Sequence, residues 1–288
     1  LLSTSNRSKD LIISNFSLGL TLFTILLQFL MTFDDLRGLK PLTRLLIQAG
    51  CTAGLIFFSG VYLESLGNLF GFGEIYLGLW GIPFTVFCIV GMVNAFNMID
   101  GLNGLCASLC LVCFMAIIFM INADTVPSLF PLILPVGAIT GFLMYNLGIL
   151  GNQRTVFLGD NGSNALGFMC AWILVYFSSV ENSNFAAVTA LWFVAIPFFD
   201  AVGVMASRAI KGIMPLRPGR DHLHHRLLDM GLSSNTIYVV LILISTSFAA
   251  IGYIFNYSFP ESQSISFYTF IAVWLCYYFL IRFIPKNV

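Results

Sequence analysis

Polar residues that could do chemistry interrupt this apolar chain in four places. They are FDDLRGLKPLTRLLIQ with Asp34 and Asp35, NAFNMIDGLNGL with Asn94, Asn97, Asp100 and Asn103, FLGDNGS with Phe157 and Asp160 to Ser163, and RPGRDHLHHRL with Arg217, Arg220, His222, His224, His225 and Arg226. Carboxylates, amides, hydroxyls and cations are the groups that bind metal ions, phosphates and sugars. The four clusters are therefore the candidates for a polar site.

The first two clusters carry acids and amides. Asp34 and Asp35 end an apolar run, where the helix macrodipole opposes a carboxylate, so two acids there suggest a use beyond an ordinary helix-end acid pair. Asn94, Asn97 and Asp100 share one helical face, and such groups at membrane depth are costly unless they face a polar cavity. Hydrogen bonding between helices is the alternative for the amides.

The third cluster suits a metal ion and a phosphate. Asp160 suits Mg²⁺, while the Ser163 hydroxyl and the N–H groups of a span beginning near Asn164 suit phosphate. Phe157 could stack a base, or be a lipid-facing or core aromatic residue. Deep in a later span, Asp200 is a functional candidate, with a salt bridge to Arg208 as the alternative.

The fourth cluster holds all three histidines of the chain. On a helix only His222 and His225 share a face, and on a strand only His222 and His224, so the spacing argues against a chelated zinc ion. Three arginines surround the histidines and favour an anion. The segment is predicted to be a basic loop for phosphate or sugar hydroxyls, with a solvated basic loop as the alternative.

The elements that must position these clusters are membrane helices. The chain is 58% hydrophobic and 9% charged, with a mean hydropathy of +0.92, which excludes an ordinary soluble domain. We predict an all-α polytopic bundle forming one domain over residues 1–288. Nine spans are expected, near 12–33, 44–63, 78–98, 104–122, 127–146, 164–180, 185–206, 236–256 and 265–283. The seven cysteines lie in apolar stretches and imply no disulfide framework.

Charge assigns the two faces of this bundle. Loops on one face carry Arg37, Lys40, Arg154, Lys211, Arg217, Arg220, Arg226 and Lys286, whereas the opposite loops hold no Lys or Arg. Arg7 and Lys9, before the first span, are the exception. The positive-inside rule makes the basic face cytoplasmic. All four clusters fall there, in loops near 34–43, 94–104, 147–163 and 207–235.

The four clusters, in this order, resemble the polyprenyl-phosphate N-acetylhexosamine-1-phosphate transferase superfamily, the glycosyltransferase 4 family. YLESLGNLFG, TALWFVAIPFFD and NLGILG resemble its GlcNAc-1-phosphate branch. The resemblance implies a bacterial inner-membrane enzyme with its active site at the cytoplasmic face. Its reaction would transfer GlcNAc-1-phosphate from UDP-GlcNAc to undecaprenyl phosphate and release UMP. This is the first step of lipid-linked surface polysaccharide synthesis, of the O-antigen and lipopolysaccharide type.

The resemblance also implies residue roles. Asp160 and Asn97 would hold Mg²⁺, or Mn²⁺ in its place. Phe157 would stack on uracil, beside Asp100 and Asn103. The acid pair would serve the lipid phosphate and the His-Arg loop the sugar diphosphate. The expected catalytic residues are Asp34, Asp35, Asp100, His222, His224 and His225, and the expected substrate-binding residues are Asn94, Asn103, Phe157, Ser163, Arg217, Arg220 and Arg226.

Three features depart from the family pattern. No basic loop of the kind found between the first two family helices is present, so about two N-terminal spans are expected to be missing. Thr155 stands where relatives often carry Lys, and adjacent Arg154 could substitute. Asn103 replaces an Asp common in another branch.

A lipid phosphate with its second pKa near 6 is already largely dianionic at neutral pH. Direct attack is therefore favoured, with Asp34 or Asp35 orienting the phosphate or removing a residual proton, over an aspartyl-phosphate intermediate. Three alternatives remain: a transferase of the superfamily for another UDP-amino sugar, a proton-coupled transporter, and an inactive truncated homologue. The partners expected are the bilayer and the two substrates, without nucleic acid; a homodimer is compatible with the sequence.

Overall fold

The computed structural model describes residues 2–121, 130–151, 155–179, 184–214 and 219–283, with side chains from Ile13 onward apart from those of Asp35, Phe130 and Phe283. Regular structure in these ranges is helical, apart from one isolated antiparallel bridge, so the all-α class is confirmed. The helices are α1 (Leu2–Arg37), α2 (Pro41–Ser59), α3 (Gly81–Ile99), α4 (Leu105–Met120), α5 (Phe130–Asn146), α6 (Gly159–Ser178), α7 (Ala187–Phe193), α8 (Ala195–Ile210), α9 (Leu223–Asp229), α10 (Ser234–Ser258) and α11 (Gln263–Phe283).

Helix lengths agree with a multi-pass membrane protein. Within the described ranges five helices are long and apolar enough to cross a bilayer, namely α1, α2, α3 with the 3₁₀ turn before it, α10 and α11. Helices α7 and α8 together would make a sixth span. The apolar helices α4 and α5 are shorter, and α6 is buried along most of its length. Each of the nine predicted spans therefore corresponds to a helix or a helix pair.

The centre of the bundle is the contact between α3 and α6. A Cβ atom added to Gly167 of α6 would lie 3.0 Å from the Val93 Cα and 3.2 Å from the Val93 carbonyl oxygen of α3. Small residues allow helices to approach this closely in membranes, because packing rather than the hydrophobic effect drives their association. This close approach brings the polar end of α3 against the beginning of α6.

The seventh predicted span is not continuous. Helices α7 and α8 meet at Val194 with a bend of 86°. Pro197 lies in the first turn of α8 and has no N–H to donate to the Phe193 carbonyl, so the helical hydrogen-bond ladder is interrupted at this point. The bend turns α8 to pack against α3, which places Asp200 in the protein interior, 1% exposed.

Candidate active site

Two polar side chains join the end of α3 to the beginning of α6. Asn97 Nδ2 donates to Ser163 Oγ at 2.9 Å, and Ser163 Oγ donates to the Asp160 carbonyl oxygen at 3.1 Å. The amide therefore turns its oxygen away from Ser163, as a ligand for a cation requires. The predicted phosphate contact of Ser163 stays a prediction, and in the structure its hydroxyl is fully buried between the two helices.

Helix α6 begins at Gly159 rather than near Asn164, so Asp160 lies in the first helical turn. A carboxylate is favoured there by the positive end of the helix dipole. Asp160 is exposed, and its negative charge acts on Asp100, the residue that follows the last turn of α3. Burial of Asp100, with Asp160 as the second cause, raises the pKa of the Asp100 carboxyl to about 7. Two carboxylates from α3 and α6 therefore share one site.

Beneath these acids runs a chain of amides that sequence reasoning did not single out as a unit. Asn94 Nδ2 donates to Gln48 Oε1 at 2.8 Å, and Gln48 Nε2 donates to Asn164 Oδ1 at 2.9 Å. Asn164 Nδ2 in turn donates to the Asp160 carbonyl oxygen at 2.6 Å. Asn94 thus takes part in hydrogen bonding between helices, the arrangement that was the alternative to a substrate contact. A glutamine inside an apolar helix was the available signal for Gln48.

The acid pair lies at the end of α1. Asp34 is 2% exposed, its Oδ1 accepts the Leu39 N–H at 2.7 Å, and its Oδ2 forms an ion pair with Arg44 Nε of α2. The carboxylate therefore fixes the turn between α1 and α2, and Arg44 offsets its unfavourable place at a helix C-terminus. The side chain of Asp35 lies outside the described residues.

Asp200 of α8 orients the first histidine. Asp200 Oδ2 accepts from His222 Nδ1 at 2.7 Å, while Asp200 Oδ1 accepts the Leu223 N–H at 2.8 Å and the Tyr277 hydroxyl at 3.3 Å. The alternative of a salt bridge to Arg208 is wrong, because Arg208 pairs with Asp221 at 3.2 Å. A carboxylate on Nδ1 fixes the ring orientation and leaves Nε2 for another partner.

The three histidine rings lie near one another, although no single regular element contains all three. His222 precedes α9 and so does not follow its periodicity; its ring centroid is 6.1 Å from that of His224, which is 4.1 Å from that of His225. The His224 ring is 1% exposed and lies against Gly101, where an added Cβ would come within 2.0 Å of its Nε2. This contact joins the histidine loop to the end of α3.

Burial also affects the charge of His224 and His225. It lowers the pKa of His224 to about 4, helped by the neighbouring His225, so His224 is neutral at pH 7. The pKa of His225 is lowered first by burial and then by the charge of Arg220. His224 is thus a neutral hydrogen-bonding group and not a cation. Within the described residues neither of its ring nitrogens has a hydrogen-bond partner.

The arginines of the loop have different environments. Arg226 is 7% exposed, with Nε donating to the Asp221 carbonyl at 3.1 Å and Nη1 to the Ile281 carbonyl at 2.6 Å. It therefore ties α9 to α11, a structural role that the prediction of substrate binding does not include. Arg220 is exposed, and Arg217 lies outside the described residues.

Two of the predicted nucleoside-binding residues, Phe157 and Asn103, are accessible. Phe157, in the segment before α6, is 78% exposed, so the alternative that it is a core aromatic residue is wrong. Asn103 is exposed in the turn between α3 and α4. Nearby, Asn161 Nδ2 donates to Thr32 Oγ1 of α1 at 2.7 Å. The contacts of Asn161, Asn97 and His224 therefore bring all four sequence clusters to one end of the bundle.

The residues present fit a hard divalent cation. Asp100 and Asp160 share a site in which their charges repel, and the oxygen of Asn97 is a third donor of the type that Mg²⁺ prefers. Among the described residues no three His, Cys, Asp or Glu side chains form a metal-binding group. A cation here would therefore rest on few protein ligands and on water or substrate oxygens, which is usual for Mg²⁺.

Comparison with known proteins agrees with this arrangement. Residues 17–178 match the model of glycosyl transferase family 4. A relative from Escherichia coli O157:H7, an undecaprenyl-phosphate alpha-N-acetylglucosaminyl 1-phosphate transferase, is 36% identical over 260 residues, which cover 89% of this chain and 70% of the relative. A Salmonella typhi protein of the same description is 32% identical over 276 residues, covering 95% of this chain and 75% of its own.

Proposed function

The chain belongs to glycosyl transferase family 4 and is a membrane phosphotransferase, and from that premise we propose that it transfers GlcNAc-1-phosphate from UDP-GlcNAc to undecaprenyl phosphate. The acceptor oxygen attacks the phosphorus that bears GlcNAc, the bond to the UMP oxygen breaks, and the products are undecaprenyl-diphospho-GlcNAc and UMP. The relatives, which are undecaprenyl-phosphate alpha-N-acetylglucosaminyl 1-phosphate transferases, support the acceptor and the transferred sugar.

One observation carries the proposal. The hydrogen bond from Asn97 to Ser163 joins the ends of two central helices and brings the carboxylates of Asp100 and Asp160 to one site. Burial of Asp100, and then the charge of Asp160, raises the pKa of Asp100. Two neighbouring carboxylates at one end of a membrane helix bundle are suited to binding a Mg²⁺-bound diphosphate. Bound Mg²⁺, or Mn²⁺, would neutralise charge on the diphosphate. Asp160 and Asn97 are its proposed ligands, with Asp100 beside them.

The other residues bind and orient the substrates. Phe157 offers an exposed ring for uracil, and Asn103 offers an exposed amide beside Asp100. His222, held by Asp200, presents Nε2 to the diphosphate, and Arg220 adds positive charge. His224 lies against Gly101, with the His225 ring beside it. The joining of two anions makes charge neutralisation the main task of such a site.

Direct attack by the lipid phosphate agrees with the state of Asp34. Both oxygens of this carboxylate have partners, Leu39 and Arg44, and a covalent aspartyl-phosphate would have to break the ion pair. We therefore assign Asp34 to positioning Arg44 and the α1–α2 turn near the acceptor. Asp35 keeps its proposed contact with the lipid phosphate.

The proposed place of the reaction is the cytoplasmic face of a bacterial inner membrane, because the basic loops lie on the side of the four clusters. A product of this kind would begin a lipid-linked polysaccharide of the O-antigen or lipopolysaccharide type. A proton-coupled transporter is disfavoured, since the family match covers residues 17–178 and the acids lie at one end of the bundle.

The test is release of UMP by the purified protein in detergent with undecaprenyl phosphate and Mg²⁺. Donors to be compared are UDP-GlcNAc, UDP-GalNAc and UDP-MurNAc-pentapeptide. The proposal expects UMP release and lipid-linked GlcNAc with the first donor only, dependent on both lipid and Mg²⁺. Preference for another donor would move the chain to a different branch of the family, and UMP release without lipid would refute the transfer.

A further inference from the structure

A second basic site lies behind the histidine helix. A cavity of about 150 Å³ opens between α8, α9 and α11, and it is separate from the acids at the ends of α3 and α6. Its charged lining consists of Arg208, Lys211, Arg226 and Arg282, with Asp221 as the only carboxylate among the described residues that line it. The cavity is large enough for a phosphate group.

Helix α9 separates this cavity from the proposed catalytic end. His224 and Arg226 are two residues apart, about 200° around a helix, so they point to opposite sides. His224 lies against Gly101 at the end of α3, whereas Arg226 bonds the Ile281 carbonyl of α11. A ligand behind α9 would therefore leave the donor sugar site open.

The charge of this cavity is poorly compensated. Arg226 is 7% exposed and its two hydrogen-bond acceptors are neutral carbonyls; within the described part of the chain no carboxylate lies in ion-pair distance of it. A buried cation without a counter-charge is costly. Arg208 pairs with Asp221, and the exposed Lys211 and Arg282 add further positive charge. An anion in the cavity would remove the cost.

The position of the cavity identifies the kind of anion. Helix α11 is a candidate membrane span that ends at Arg282, and Tyr278, whose ring lies 4.3 Å from the Arg282 guanidinium carbon, also lines the cavity. Tyrosine and arginine at the end of a span are typical of the headgroup level of a bilayer. Basic pockets between helices on the cytoplasmic side bind anionic headgroups.

We propose that the cavity lined by Arg208, Lys211, Arg226 and Arg282 binds the phosphate of an anionic phospholipid. The bound phosphate would stabilise α9 on the side facing away from the proposed catalytic end. The phosphate could come from a lipid or from solution, and the two sources are distinguishable. The site is separate from the proposed sites of both substrates.

The experiment measures thermal unfolding of the purified full chain in a neutral detergent. Phosphatidylglycerol, phosphatidylcholine and inorganic phosphate are the probes. The test variant is Lys211→Gln with Arg282→Gln, since both side chains are exposed and the buried arginines stay in place. The matched control is Arg37→Gln with Lys40→Gln, which removes the same charge from the same predicted face.

Phosphatidylglycerol should raise the melting temperature of the wild type and of the control variant, and phosphatidylcholine should not. The test variant should bind phosphatidylglycerol about thirtyfold more weakly, from roughly a fivefold loss for each charge removed. Asp160→Asn should keep the full response, because it alters only the catalytic end. Equal responses of the test and control variants, or no response to either anion, would refute the site. A response to inorganic phosphate that matches the lipid response, and is lost in the test variant, would support the anion site and assign it a soluble source.

Discussion

The contact between Asp200 and His222 gives the sharpest test of the proposed site. Asp200→Asn keeps the size of the side chain but removes its charge. In the wild type one oxygen accepts from His222 at 2.7 Å, and the other from Leu223 at 2.8 Å and Tyr277 at 3.3 Å. A hydrogen bond to a charged group contributes about 1.5–3 kcal/mol, so loss of the His222 contact should lower kcat about ten- to a hundredfold.

The assay is UMP release with saturating donor and acceptor, combined with a double-mutant cycle. If Asp200 acts through His222, then Asp200→Asn should have little further effect once His222→Gln is present. Glu261→Gln is the matched control, because it makes the same chemical change at an exposed residue on the opposite predicted face. Additive effects of the two substitutions, with both variants folded, would refute the positioning role of Asp200.

Three further predictions follow from the same geometry. Asp160→Asn should lower turnover at least a thousandfold, measured as UMP release across a Mg²⁺ titration; retained Mg²⁺-dependent turnover would remove Asp160 from the metal site. Phe157→Ala should raise the KM for UDP-GlcNAc about tenfold, as expected for a lost stacking contact, while Phe72→Ala, 95% exposed on the other side, should leave it unchanged. Because the folded-state pKa of His224 is about 4, below the ordinary 6.5, the folded state should lose about 2 kcal/mol as pH falls from 7 to 5; thermal unfolding should show a fall in melting temperature that His224→Gln reduces, with His225 contributing in the same direction, and an undiminished fall in this variant would contradict the assignment.

Much of the fold could be predicted because its main determinant is local. Apolar runs specify membrane helices, and every one of the nine predicted spans has a helical counterpart. The two errors within spans have local causes. The start of α6 at Gly159 was missed because its first turn is polar and the prediction followed apolar residues. The break at Val194 was missed because it depends on Pro197, which a prediction from hydrophobicity does not take into account.

The site was harder to predict because its contacts are long-range. Gln48 and Asn164 are 116 residues apart, and only the packing of α2 against α3, and of α3 against α6, brings their amides together. The histidine argument assumed one regular element for all three rings. It did not consider a residue outside that element: His222 lies before α9 and takes its orientation from Asp200, 22 residues earlier. The sequence predicts that the polar clusters lie at one end of the bundle. It does not predict which of their side chains form hydrogen bonds with each other.

Helix α8 controls the orientation of the histidine loop more than the loop itself does. With seven residues, α9 is too short to be stable alone. Asp200 and Arg208, eight residues and about 12 Å apart along α8, bond the adjacent residues His222 and Asp221. Because these neighbours are about 3.8 Å apart, the two contacts from distant points hold the chain from opposite sides and fix its direction as α9 begins. The bend at Val194 sets the direction of α8, so it also determines where the histidines meet the ends of α3 and α6.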